Sequence, residues 1–144
     1  MACDLKDHLQ METAGDRTEG HSIVMWADDD RDLLWLMVRA FRRDGLTVKA
    51  VDHAPTCGEI VRERPAVLFL DVDLGQANGA DVCDELKRDH IGSTIPVMLV
   101  SALPSEQLRE TALACGADGY VTKPFLPGRI IQLAKEYAQV RSRS

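Results

Sequence analysis

The sequence predicts an α/β domain built on a parallel sheet of five strands, with helices on both faces. Two observations predict it. Short apolar runs alternate five times with longer segments whose apolar residues recur at helical spacing. Each run also stops abruptly at polar residues, as strands buried on both faces do. That alternation implies right-handed crossovers between parallel strands.

Taken in order, Ser22-Ile23-Val24-Met25-Trp26-Ala27 is too short for an independent helix and ends at three aspartates, so it reads as the first strand. Asp30 to Arg43 follows as a helix, with Leu33, Leu34, Met37, Val38 and Phe41 on one face. Asp30 is its N-cap and Gly45 its C-terminal stop. Leu46 to Val51 is β-branched enough for a strand, and Pro55 to Val61 makes a short helix opened by Pro55. Ala66 to Leu70 is a third strand, ending at Asp71, and Ala80 to Asp89 a helix with Val82, Cys83 and Leu86 on one side. Pro96 to Val100 ends at Ser101, and Pro104 to Ala114 is a helix stopped at Gly116. Gly119 to Thr122 is the last strand, and Leu126 to Ala138 the last helix. Residues 1–21 are polar and mixed in charge, and read as a flexible leader. Residues 22–140 form the domain and 141–144 a tail.

The bulk properties narrow the function. A chain of 144 residues has the length of one domain. Its net charge of −6 argues against nucleic acid as a direct partner and against anionic membranes, since both reward Lys and Arg. No apolar run approaches the ~20 residues that span a bilayer, and no signal-peptide core precedes the domain. Cys3, Cys57, Cys83 and Cys115 are scattered, form no C-x-x-C pair and read as reduced thiols. The expected location is the cytoplasm. His8, His21, His53 and His90 read as surface residues.

Open parallel sheets bind ligands at the carboxyl ends of their strands. The residues at those ends are Asp28, Asp29 and Asp30 after the first strand, and Asp71 and Asp73 after the third. Ser101 follows the fourth, and Lys123 with Pro124 the fifth. Carboxylates gathered this closely repel one another unless a cation intervenes. Hard oxygen donors favour Mg²⁺, which takes one or two protein carboxylates and keeps waters. Such a cluster beside one Lys suggests a divalent ion and a phosphate, with a carboxylate as phosphoryl acceptor.

These residues reach a known family. The stretch Ile23-Val24-Met25-Trp26-Ala27-Asp28-Asp29-Asp30 resembles the opening strand and acidic pair of response-regulator receiver domains. Leu68-Phe69-Leu70-Asp71-Val72-Asp73-Leu74 with Asn78-Gly79 resembles their phosphoacceptor segment. Val97-Met98-Leu99-Val100-Ser101-Ala102 is similar to their Ser/Thr switch strand. Ala114 to Phe125 closely resembles their last strand and Lys-Pro turn. Together these motifs cover residues 22 to about 140 in order.

The resemblance implies a chemotaxis-regulator-like, flavodoxin-like fold of strand order 2-1-3-4-5. It implies Asp71 as phosphoacceptor. Mg²⁺ would be held by Asp29, Asp71 and the backbone carbonyl of Asp73, with Asp28 acting through water. Ser101 and Lys123 would hold the phosphoryl oxygens, Tyr120 would be a rotameric switch, and Pro124 would follow a cis peptide bond. It implies a histidine kinase or histidine phosphotransfer protein as donor and a downstream protein as target. The face of the fourth helix, fifth strand and fifth helix would repack and bind that protein or a second copy of the chain as a homodimer. The chain would be a signalling module, not an enzyme with turnover. Two departures stand out: Gly75 replaces a frequent Pro, which predicts a looser loop, and Asp73 adds an acid beside the site.

Two other readings compete. A haloacid-dehalogenase-type phosphatase also uses an aspartate in a D-x-D motif, as in Asp71-Val72-Asp73, but places that motif in its first strand. A degenerate receiver would bind partners without phosphorylation, yet every site position here carries a competent side chain.

Overall fold

The computed structural model describes residues 23–143, so the predicted leader 1–21 lies outside the described residues. Five parallel strands form one sheet: β1 (Ile23–Ala27), β2 (Thr47–Val51), β3 (Val67–Asp71), β4 (Val97–Ser101) and β5 (Gly119–Thr122). The helices are α1 (Arg31–Arg43), α2 (Cys57–Glu63), α3 (Gly79–Arg88), α4 (Ser105–Cys115) and α5 (Pro127–Arg143). The strand order is β2-β1-β3-β4-β5. The predicted fold class and order are therefore both found.

Alternate residues of the central strands face opposite sides, which gives two cores. Val24, Trp26, Val67, Phe69 and Val100 face α1 and α5 and pack with Leu34, Met37, Phe41, Ile130 and Ala134. Met25, Leu68, Leu70, Leu99 and Ala27 face the other way, against Ile60, Cys83, Leu86, Leu108 and Ala112. Strands covered on both faces must be apolar throughout, and β1, β3 and β4 are buried along their whole length.

Local signals fix several ends. The Asp30 side chain accepts a hydrogen bond from the Leu33 N–H and caps α1. Gly116 ends α4 at φ +79°. The short α2 differs from prediction: it begins at Cys57, two residues after Pro55, because Thr56 and Glu59 form a reciprocal capping box. The segment after Asp71 also differs. It is a tight hairpin pairing Asp73 with Asn78 and Leu74 with Ala77, not a loose loop. Gly75 sits in its turn at φ +73°, a conformation closed to Pro. Here glycine tightens the chain. Among the described residues no helix is long and apolar enough to cross a membrane.

Candidate phosphoryl and metal site

The parallel register fixes where the polar residues emerge. Ala27 pairs with Leu70, Asp71 with Val100, and Ser101 with Thr122. The residues that follow therefore leave the sheet along one rim. Oxygen atoms of Asp28, Asp29 and Asp71 all lie within 4.8 Å of one another. Asp28 is fully buried, Asp71 is 4% exposed, and Asp29 faces solvent.

Lys123 closes the site from β5. Its Nζ lies 3.0 Å from Asp28 Oδ2 and 3.3 Å from Asp71 Oδ2. The Asp28 carboxylate is also fastened from its own turn, where Oδ1 accepts the Asp30 N–H at 2.9 Å. Asp71 Oδ1 accepts the Asp73 N–H at 3.3 Å. The Lys123–Pro124 peptide bond is cis. Ser101 is buried, and its Oγ accepts the Leu103 N–H at 3.0 Å.

Charge is unevenly balanced here. Burial and the adjacent charge of Asp28 push the Asp71 carboxyl from 3.8 up to about 7, against the opposing pull of Lys123. Burial disfavours the Lys123 ammonium, but hydrogen bonds and charges of Asp28 and Asp71 outweigh it and raise its pKa. One ammonium thus serves two buried carboxylates and leaves a negative excess. Clustered carboxylate oxygens with uncompensated charge are the donor set of a hard divalent cation, so the residues fit Mg²⁺.

The remaining predicted residues are placed as follows. Asp73 is exposed, and its side chain accepts the Gly75 N–H at 3.3 Å within the hairpin. Tyr120 is half-buried against the core on the α4 side. His53 and His90 are exposed. Sequence reasoning missed two features. Asp28 holds Lys123 more closely than Asp71 does, and the Trp26 indole points at Asp28. A tryptophan two residues before an acid on the same strand face was a signal for the second, since alternate residues share a face.

Comparison with known proteins identifies the family and the fold. A family model described as "response regulator receiver domain" matches residues 24–135. The probable transcriptional regulatory protein TcrX of Mycobacterium tuberculosis is 35% identical over 76% of this chain and 47% of its own. A DNA-binding response regulator, MtrA of Mycobacterium leprae, is 31% identical over 83% of this chain and 50% of its own. The chain thus spans about half the length of these curated relatives. The expectation of no nucleic-acid contact draws no support from relatives of that kind. Among solved structures, a CheY-like receiver domain protein from Methanospirillum hungatei has a TM-score of 0.69 at 19% identity, covering 85% of this chain and 98% of that one. The receiver domain of NtrX from Brucella abortus has a TM-score of 0.68 at 24% identity, covering 81% and 98%. The matched model, the relatives and the shared fold establish that the chain belongs to the response regulator receiver domain family of two-component systems.

Proposed function

We propose that this receiver domain accepts a phosphoryl group on Asp71 in a Mg²⁺-dependent reaction and thereby switches its contacts with other proteins. The observation that carries the reading is the buried Asp28–Asp71 pair, with Asp29 beside it and Lys123 bridging the two.

Asp29, Asp71 and the Asp73 carbonyl would hold the metal, with Asp28 reaching it through water. The bound ion supplies positive charge that screens the carboxylates from an incoming phosphate. The chain's residues do the rest. An Asp71 carboxylate oxygen attacks phosphorus, the Asp71 O–P bond forms, and the P–N bond to a phosphohistidine donor breaks. The imidazole leaves with the electron pair of that bond. Lys123 Nζ turns from the carboxylates to a phosphoryl oxygen, and the Ser101 hydroxyl donates to another.

The donor would be a histidine kinase or a phosphotransfer protein. The added charge of roughly −1.5 to −2 draws Ser101 and Lys123 toward the site, and both lead into the α4–β5–α5 face. A groove of about 540 Å³ lies on that face, lined by Tyr120, Thr122, Phe125, Leu126 and Arg129 among others. Tyr120 would follow Ser101 inward, which reshapes the groove for a downstream protein or a second copy of the chain.

The test is incubation with Mg²⁺ and acetyl phosphate, followed by intact mass and hydroxylamine treatment. A hydroxylamine-sensitive gain of one phosphoryl group is expected, lost on chelation and in Asp71→Asn. No gain, or a gain that survives Asp71→Asn, overturns the proposal.

A further inference from the structure

Trp26 is completely buried near the carboxyl end of β1. Its ring stacks on Phe69 at 4.8 Å and meets Phe125 at 5.7 Å and Phe41 at 6.2 Å, both tilted. Strands β1 and β3, helix α1 and the segment after Lys123-Pro124 thus all clamp the indole. A buried indole N–H needs an acceptor. Here the acceptor is a carboxylate of the site: Trp26 Nε1 lies 3.5 Å from Asp28 Oδ2.

That oxygen has a second donor, Lys123 Nζ at 3.0 Å, whereas Oδ1 is held by the backbone of Asp30. Asp28 Oδ2 is therefore shared between an ammonium at the end of a long side chain and an indole locked in the core. A separation of 3.5 Å is long for N–H···O, as expected where a nearer cation occupies the oxygen. When Lys123 transfers to a phosphoryl oxygen, Oδ2 of the fully buried Asp28 loses the nearer of its two donors. A buried carboxylate left short of donors is costly.

We propose that Trp26 is a positioning residue for phosphoryl binding: its N–H closes on Asp28 Oδ2 when Lys123 leaves, and so eases the transfer of Lys123 to the phosphoryl group. The inference rests on the proposed function above. The aromatic ring fixes where the N–H points, and the N–H fixes where the carboxylate stays.

Two measurements test it. The chain has two tryptophans, so a Trp35→Phe background assigns the indole cross-peak of Trp26 in ¹H–¹⁵N spectra. In that background the Trp26 indole proton should move downfield when Mg²⁺ and beryllofluoride saturate the site. It should move the same way in Lys123→Ala without ligand. By calorimetry in Mg²⁺, Trp26→Phe, which keeps a ring but removes the N–H, should weaken beryllofluoride binding about tenfold or more, the scale of one hydrogen bond to a charged group. An indole proton that stays put in both samples overturns the inference, as does unchanged affinity in Trp26→Phe. Should Trp26→Phe fail to fold, the indole shifts alone decide. If the native chain binds no beryllofluoride, the proposed function itself falls. If it binds and the indole does not respond, only the role of Trp26 falls.

Discussion

Replacing Asp71 with Asn should stabilise the domain in the absence of divalent cations, although it removes the residue on which the proposed chemistry depends. The Asp71 carboxylate feels Lys123 at 3.3 Å and Asp28 within 4.8 Å. At an effective dielectric constant of ~20, these amount to an attraction of ~5 kcal/mol and a repulsion of ~3.5 kcal/mol or more. With exposed Asp29 adding further repulsion, the charges nearly cancel. Burial then decides, which is why the carboxyl is pushed up to about 7. Lifting it there from 3.8 costs the ionised fold roughly 4 kcal/mol at ~1.4 kcal/mol per tenfold change. Asn removes the charge but must itself be desolvated, and Lys123 loses one partner. About 2 kcal/mol should therefore return as stability, or ~6–8 °C in Tm for a domain of this size.

The sign follows from linkage. A carboxyl with a raised folded pKa contributes stability that is complete below its unfolded value. That contribution is lost as pH rises through about 7. The gap between Asp71→Asn and the native protein should be small near pH ~5 and open fully by pH ~8. Saturating Mg²⁺ should narrow it, because binding to the native fold adds RT ln(1 + [L]/Kd). Urea and thermal unfolding at both pH values, with EDTA and with Mg²⁺, measure this. An Asp71→Asn protein no more stable than the native one near pH ~8 in EDTA would refute the electrostatic account of the site.

Other outcomes follow from the same structure. A Cβ at Gly79 would collide with the Asp71 carbonyl, so Gly79→Ala should cost about 2 kcal/mol or more and shift the acidic loop, read by urea unfolding and by the Mg²⁺ titration. Burial pushes the Cys83 thiol up to about 12, and Cys115 beside it is also buried. Among the described cysteines, iodoacetamide on the native fold should therefore spare both and modify partly exposed Cys57 first, as peptide mapping will report. Asp118 Oδ2 accepts from the Val97 N–H and from Lys87 Nζ, both at 2.8 Å, and so ties β4 to α3. Asp118→Ala should lose about 1–3 kcal/mol in urea, and Asp118→Asn less.

Most of the fold was legible because each signal was local. Asp30 caps α1 from its own turn, and the β3 run is apolar because both faces are covered. Gly116 ends α4 because it can adopt φ +79°. Where competing local signals met, the reading slipped. Pro55 suggested a helix start, but the Thr56–Glu59 box set it later. At Gly75 the comparison with Pro suggested looseness, whereas positive φ makes a tight turn. The side chain of Asp73, the extra acid beside the site, accepts from the Gly75 N–H in the hairpin, a partner that only the folded turn reveals.

The sequence alone determined the order of strands and helices, the two-sided burial of the central strands, and which side chains emerge at their carboxyl ends. These depend on periodicity and turn chemistry, which act over a few residues. Tertiary structure decided how the emerging groups share one another. Lys123 lies between Asp28 and Asp71, the pKa of Asp71 is lifted, and Trp26 aims its N–H at Asp28. Electrostatic energy varies with distance and burial between residues far apart in the chain. Those quantities exist only after β1, β3 and β5 have come together.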